Sequence, residues 1–361
     1  MAIMHISDLH LGVKRSTGTT LDSRAQLHKH MMREFERLLS LAQEGGHDLL
    51  INGDLFDTFN VDREVEFQVF KLLRDWCHQN PSSVLVMSAG NHDLSRDNSV
   101  MSSFHIVARY LEITCNNVMV ITDGLTALKH DIWVIPHMPN QEMFDEQLEA
   151  CWAVAGSRME GGFLFLHANY DNNFAKEADH SLNVSAEMAE RFKQVGVKLV
   201  FAHEHQQKET GNVIVVGNQI ASSVSDCLGN TFKRYILVYR GEKEVVSKPF
   251  WDVSDVNFAK VDWRENPEDF TDVKFIRLTG DATAEDSVAV VNQVIRWRKT
   301  LGPNTFVITN AVKIAAMEVT VGKLESGATN FNVLQLVRDR VPKALKSKFE
   351  QLENLLGDHN V

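Results

Sequence analysis

Five short polar motifs, each placed directly after an apolar run, constrain this chain more than any other feature. They read Asp8-Leu9-His10, Gly53-Asp54-Leu55-Phe56-Asp57, Gly90-Asn91-His92-Asp93, His167 alone, and His203-Glu204-His205. Taken singly, each has a plain reading. D-x-H caps a strand end, G-D-x-x-D makes a turn, H-x-H is a pair of surface imidazoles, and a lone histidine after an apolar run is a satisfied core residue. Their joint occurrence, in this order and at the ends of apolar runs, is what points to chemistry.

The chemistry that needs such a set is a pair of divalent cations. Two ions about 3.5–4 Å apart need a bridging carboxylate, further hard or borderline ligands, and positions left open for water and substrate. Asp54 is the candidate bridge, because a strand-end carboxylate preceded by glycine presents both oxygens to a cleft. The D-x-H and H-x-H spacings put two side chains on the same side of an extended segment, where side chains repeat every second residue. The amide oxygen of Asn91 suits a hard ion and adds no charge. The candidate metal ligands are therefore Asp8, His10, Asp54, Asn91, His167, His203 and His205. Nitrogen and oxygen donors without sulfur point to manganese, with iron, zinc and magnesium as alternatives. His92 adjoins Asn91 and is assigned to neither ion. It is expected to protonate the leaving oxygen or stabilise its charge, oriented by Asp57 or Asp93.

The surrounding pattern alternates between strand and helix. Ala2–Ile6, Leu49–Ile51, Val84–Met87, Ile132–Ile135, Phe163–Leu166, Leu199–Phe201, Ile214–Val216 and Tyr235–Val238 read as buried strands. Residues 24–43 carry Leu27, Met31, Phe35, Leu38 and Leu41 at helical spacing, and residues 62–77 carry Val65, Val69, Leu72 and Trp76. This predicts a layered α/β domain whose motifs lie beyond the carboxyl ends of the strands. The denser strands later in the chain predict a second, more antiparallel sheet. From residue 246 the aromatic and acidic stretch KPFWDVSDVNFAKVDWRENPEDF reads as a linker. A strand (Val273–Leu278), a helix (Ala284–Leu301) and a strand (Thr305–Thr309) then suggest a small β-α-β unit. The tail is read as helical. Phe331, Leu334 and Val337 share one face, and Leu345, Phe349, Leu352 and Leu356 another, interleaved with Arg338, Arg340, Lys343, Lys346 and Lys348. That basic run reads as a DNA-phosphate contact, a docking face for an acidic coiled coil, or a plain solvated surface.

Composition excludes several classes. A chain of 361 residues exceeds one ordinary domain. The net charge of −11 is a poor fit to gripping nucleic acid through a global field, though bound cations or a partner subunit would supply positive charge locally. Cys77, Cys115, Cys151 and Cys227 are scattered and form no C-x-x-C pair, which argues against a zinc cage or disulfide framework and for a reducing cytoplasm. The start MAIMHISDLH is not a signal peptide, and no apolar run approaches the roughly 18 residues of a membrane span. No G-x-x-x-x-G-K-[ST] loop occurs, so the chain is not itself a P-loop ATPase.

The motifs resemble those of the calcineurin-like metallophosphoesterases, which read D-x-H, G-D-x-x-D, G-N-H-[DE], H and G-H-x-H. HISDLHLGVK, GDLFDTFN and VVGNQIASSVSDCLGNTFKRYILVY further resemble the SbcD-type nuclease subunits of DNA-repair complexes, in particular the recombination nuclease subunit of large tailed phages. Two departures are small: Ala202 stands where glycine usually precedes His203, and Ala168 follows His167 where glycine often does.

The resemblance implies an α/β metallophosphoesterase sandwich, layered α/β-β/α, over residues 1–245. A linker and small α/β capping domain would follow over 246–328, then C-terminal helices over 329–361. It implies that Asp8, His10, Asp54 and His205 hold one ion, while Asp54, Asn91, His167 and His203 hold the other. It further implies manganese-dependent cleavage of DNA, as an exonuclease on duplex ends and an endonuclease on single strands or hairpins. A homodimer and a separate SMC-like ABC-type ATPase of the SbcC type complete that picture, in the cytoplasm or, for a phage protein, the host cytoplasm. Two other readings are a phosphodiesterase acting on a small ester such as a nucleotide, and a scaffold subunit without activity.

Overall fold

Apolar runs that never alternate with polar residues require strands covered on both faces, and that is how they fold. Ala2–Ile6, Asp48–Asn52 and Phe163–His167 are buried at every position. The computed structural model describes residues 2–14, 21–95, 100–129, 131–158, 161–172, 181–228, 232–239, 243–252, 258–302, 304–315 and Lys346. The tail stripes Phe331–Val337 and Leu345–Leu356 and the basic residues Arg338, Arg340, Lys343 and Lys348 lie outside the described residues.

The first elements are β1 (Ala2–Ile6), α1 (Leu21–Glu44), β2 (Asp48–Asn52), α2 (Arg63–Gln79), β3 (Leu85–Ser88), α3 (Ser103–Thr114) and β4 (Val118–Ile121). There follow β5 (Thr126–Lys129), β6 (Ile132–Ile135), α4 (Gln141–Arg158), β7 (Phe163–His167), β8 (Asn169–Tyr170), β9 (Asn183–Val184), α5 (Ala186–Gln194) and β10 (Lys198–Ala202). Then come β11 (Lys208–Thr210), β12 (Val213–Val215), β13 (Phe232–Tyr239) and β14 (Glu244–Asp252). The remaining elements are β15 (Phe258–Asp262), β16 (Phe275–Thr279), β17 (Asp281–Ala282), α6 (Ser287–Leu301), β18 (Val307–Asn310) and β19 (Lys313–Ile314).

Two six-stranded sheets, ordered β14-β13-β1-β2-β3-β4 and β11-β12-β10-β7-β6-β5, stack face to face. The two-residue period of a strand sorts its side chains between layers. In β1, Ile3 enters the core between the sheets, while Ala2, Met4 and Ile6 join the helix-covered core with Leu27, Met31 and Phe35. In β7, Phe163 and Phe165 face the first sheet, and Leu164 and Leu166 face α4 and α5 through Leu148 and Phe192. The chain is thus a helix–sheet–sheet–helix sandwich, as expected from the alternating pattern. Along α2 the buried stripe is Val65, Val69, Leu73 and Trp76, with Leu72 only partly covered.

The expected excess of antiparallel pairing in the second sheet is not found. Each sheet has three parallel and two antiparallel pairings. The reason is connectivity: α4 separates β6 from β7 and α5 precedes β10, and helical crossovers return the chain in the same direction.

Much of the stretch read as a linker is also ordered as strands. Residues 244–252 form β14, the outer strand of the first sheet, paired with β13, and Phe258–Asp262 form β15. An edge strand tolerates Pro249, because its N–H side has no ladder to complete, and Phe250 and Trp251 are buried against the helical layer. β15, β16 and β18 then make a parallel three-stranded sheet. One face holds Trp297 and Leu301 of α6, and Phe275 and Phe306 of the other join the main core beside His30 of α1.

The cysteines are free and buried. No described helix is long and apolar enough to cross a membrane. Apolar side chains are exposed on two helical faces among the described residues: Phe67 of α2 with Tyr110 and Ile113 of α3, where Phe70 lies 5.8 Å from the Tyr110 ring, and Val288, Val291 and Ile295 of α6.

Candidate metal centre

Every motif lies at the carboxyl end of a strand in the parallel part of its sheet. Asp8 and His10 follow β1, Asp54 follows β2 and Asn91 follows β3, which are adjacent strands. His167 ends β7, and His203 and His205 follow its neighbour β10. Asn52 ties the two rows of strand ends together. Its side-chain amide donates to the Leu166 carbonyl at 3.2 Å, and its own carbonyl lies 3.1 Å from His167 Nδ1. The loops after β1 and β2 are laced by the N–H groups of Asp8, His10 and Leu11, which donate to the carbonyls of Gly53, Asp54 and Leu55.

This convergence carries backbone strain. Asp8, His10, Asp54 and His203 have φ of 53°, 47°, 51° and 83°, a left-handed region that non-glycine residues rarely occupy and that clusters at functional sites. Glycine is required beside them. A β-carbon on Gly53 would strike the His167 ring, and one on Gly90 would strike the Asp54 carboxylate and backbone.

All seven sequence-derived ligands meet here. His10 Nε2 lies 3.0 Å from His205 Nε2, while His167 Nε2 and His203 Nδ1 each lie 3.0 Å from Asn91 Oδ1. Asp54 Oδ2 is 3.4 Å from His167 Nε2 and 3.9 Å from His10 Nε2, which places it between the two groups. Asp8, His10 and His205 form one set of convergent donor atoms, and Asp54, His167 and His203 another. Metal–ligand bonds of about 2.0–2.2 Å set neighbouring donors about 3 Å apart. The donor set and its spacing therefore fit two divalent ions.

The outward-facing atoms of these histidines are held as well. His167 Nδ1 faces the Asn52 carbonyl, His203 Nε2 the Ser181 hydroxyl at 3.2 Å and His205 Nδ1 the Asp226 carboxylate at 2.7 Å, while the Asp57 carboxylate stands 3.6 Å from His10 Nδ1, beyond hydrogen-bond distance. Such partners fix ring orientation and tautomer in metal sites. Sequence reasoning passed over Asn52, Ser181, Asp226 and also His137, whose ring stands 6.3 Å from that of His167. Asp226 lies in IASSVSDC, a stretch singled out only for its resemblance. Nothing in its local pattern marks the others.

His92 is present at the site, its N–H donating to Asp54 Oδ1 at 2.9 Å and its ring 5.0 Å from that of His10. Its Nδ1 meets the backbone carbonyl of Asp57 at 2.5 Å. The orientation expected from the carboxylate of Asp57 or Asp93 thus comes from a main-chain oxygen instead. The Asp93 carboxylate takes hydrogen bonds from the N–H groups of Gly90, Leu55 and Phe56, and so locks two motif loops to each other. Glu204, between the two late histidines, accepts from the Tyr170 N–H at 2.6 Å.

The electrostatics of the cluster are those of buried opposite charges. Burial opposes the charge on Asp54, but the His167 charge and hydrogen bond, with His10 and His92, hold its carboxyl well below the usual range. Burial also works against charge on His167, and Asp54 and Asp8 outweigh it, raising the ring to about 9. Burial and the His167 charge lower His203 to about 4, and burial lowers His10. His10 and His203 therefore offer lone pairs, and an arriving cation would take the place of protons shared elsewhere in the cluster, as metal sites generally do.

Residues 1–207 match the family described as calcineurin-like phosphoesterase. The chain belongs to that family. Among curated relatives, it is 33% identical over 88 residues to the double-strand break repair protein mre-11 of Caenorhabditis elegans, covering 24% of this chain. It is 30% identical over 95 residues to the D chain of the nuclease SbcCD of Rhodobacter capsulatus, one subunit of that nuclease, covering 26% of this chain. The chain spans only 11% and 22% of the lengths of those two proteins. Among solved structures, one from Thermus thermophilus aligns over 69% of this chain and 98% of its own at 13% identity and a TM-score of 0.42. A dimetal phosphatase from Danio rerio aligns over 71% and 97% at 10% identity and a TM-score of 0.42.

Substituting Gly53 by alanine is expected to push the His167 ring aside and to weaken divalent-ion binding by roughly tenfold or more. Gly46→Ala is the control: it is also left-handed, at φ 58°, but has open space around it. It should cost only backbone strain of about 1–2 kcal/mol. Calorimetric manganese titration and thermal melting of both variants test this, and equal ion affinity in the two would contradict it.

Proposed function

We propose that this chain is a two-metal-dependent DNA nuclease, cutting duplex ends as an exonuclease and single strands or hairpins as an endonuclease. The observation that carries the reading is the meeting of seven candidate ligands from five strand ends, with donor spacings near 3.0 Å. DNA as substrate is supported by the names of the two curated relatives, a break-repair protein and a nuclease subunit.

In this reading Asp8, His10, Asp54 and His205 hold one ion and Asp54, Asn91, His167 and His203 the other, with Asp54 as the bridge. Manganese is the proposed metal, since oxygen and nitrogen donors without sulfur suit it, and magnesium, iron and zinc share part of that preference. When bound, the ion pair would activate water and neutralise charge on the phosphoryl oxygens. The chain's own residues do the rest. Asn52 and Gly53 keep His167 seated, and Asp93 locks the Asn91 loop to the loop after β2. The Asp57 carbonyl occupies His92 Nδ1, which leaves Nε2 to give a proton to the departing sugar oxygen.

The assembly we propose has three parts. The nuclease domain, residues 1–245, is followed by the capping unit, 246–328, and by C-terminal helices, 329–361, that meet DNA or the partner. The partner is a separate SMC-like ATPase of the SbcC type; the name of the Rhodobacter relative marks that protein as one subunit of a complex. The chain pairs with a second copy through the apolar face of α2 and α3, where Phe67, Tyr110 and Ile113 stand exposed. A cytoplasmic setting, in a host cell if the chain is of phage origin, fits the free buried cysteines.

Three outcomes are expected. With manganese, the chain degrades end-labelled duplex and opens hairpin DNA, and Asp54→Asn abolishes both; hydrolysis of bis(p-nitrophenyl) phosphate with no cleavage of any DNA, even beside the ATPase, would instead assign a small-ester phosphodiesterase. His92→Ala keeps its ions and loses turnover by on the order of 10²–10⁴, a result that lost metal at unchanged activity per ion would contradict. Ile113→Glu turns a dimer into a monomer in sedimentation, and a monomeric unaltered chain would remove the dimer from the picture.

A further inference from the structure

On the side of His205 away from His10, ring atom Nδ1 lies 2.7 Å from Asp226 Oδ1, and that carboxylate is buried. The other oxygen, Oδ2, accepts hydrogen bonds from the Ser222 N–H at 2.9 Å, the Ser222 hydroxyl at 3.1 Å and the Ser223 N–H at 2.9 Å. One oxygen is thus anchored by three donors while the other receives the imidazole. Asp226 sits in a short helical turn, Ser225–Cys227, between β12 and β13, outside all five motifs. Lys233 of β13 is buried nearby, its ammonium donating to Asn218 Oδ1 at 2.5 Å.

A carboxylate on the Nδ1–H of an imidazole pins the ring, fixes the tautomer with its lone pair on Nε2, and makes that lone pair a stronger donor. The two proposed ion positions differ in this respect. His205 is backed by the hydrogen-bonded carboxylate of Asp226, with the Asp57 carboxylate at the longer distance of 3.6 Å from His10, whereas His167 and His203 are backed by the uncharged Asn52 carbonyl and Ser181 hydroxyl. We propose that Asp226 is a positioning residue, held by Ser222 and Ser223, which aims His205 at Asp8 and His10 and makes their position the tighter of the two. The inference rests on reading the cluster as a two-ion centre.

The test uses the full chain and four variants: Asp226→Asn, Asp226→Ala, Ser222→Ala and Asp54→Asn. Manganese is titrated by calorimetry and by its paramagnetic resonance signal, and turnover of bis(p-nitrophenyl) phosphate is followed against manganese concentration. Asp226→Asn should weaken the tighter ion by on the order of 10–100-fold and leave the weaker one in place. Ser222→Ala, which keeps the carboxylate, should lose less. Excess manganese should restore turnover in Asp226→Asn, with KM for the ester unchanged. If Asp226→Ala melts early, the Asn and Ser222 variants decide the matter. Tight binding of both ions by the Asp226 variants, with binding lost in Asp54→Asn, would overturn the role of Asp226 and leave the metal centre standing. Undiminished binding in Asp54→Asn would overturn the metal centre itself, and this inference with it.

Discussion

Two hydrogen bonds at Asn52 hold the end of one sheet against the end of the other: its amide on the Leu166 carbonyl, and its carbonyl on the His167 ring. Asp8, Asp54 and Asn91 come from the first sheet and His167, His203 and His205 from the second, so the centre exists only where these strand ends are kept within reach. The packing beneath them serves the same end. Ile3 and Leu50 from one sheet and Phe163 and Phe165 from the other fill the space between, and close-packed interiors do not permit the sheets to slide.

The polar groups gathered above that core are costly to bury, and the structure offsets the cost locally. Asp54 is set against His167, Asp226 against His205, Lys233 against Asn218, and Asp93 against three backbone N–H groups. Buried charges persist when they are paired and hydrogen-bonded in this way. The left-handed residues Asp8, His10 and Asp54 add strain that is held by the lacing of the loops after β1 and β2. His5 shows the contrast within a single strand. It faces the core between the sheets, stacked on Phe165 at 5.3 Å, and burial lowers it to about 3. Three residues further on, at the strand end, Asp8 meets its partners.

The small sheet is built into the same body. Phe275 and Phe306 close over His30 and Trp251 on the helical layer of the first sheet, and Arg37 reaches the Phe250 carbonyl at 2.8 Å. Residues that read as a linker on composition are therefore part of the support. Aromatic side chains near proline and acidic residues look like a break in one dimension, yet here they line an edge strand and fill the seam beneath the small sheet.

What the linear order determined was the layers and the polar residues that gather beyond them. Asp8, His10, Asp54, Asn91, His167, His203 and His205 each follow an apolar run, and strands buried on both faces must end where polar residues begin, so the runs and the residues that meet beyond them were legible. Tertiary structure decided what depends on meeting across distance. It put a backbone carbonyl and not a carboxylate on His92, used Asp93 to tie loops, and made the second sheet mainly parallel through its helical crossovers. It also brought Asp226, Ser181 and Asn52 behind the histidines. Their partners lie between 21 and 115 residues away in sequence, and a hydrogen bond over that separation has no local periodicity to announce it.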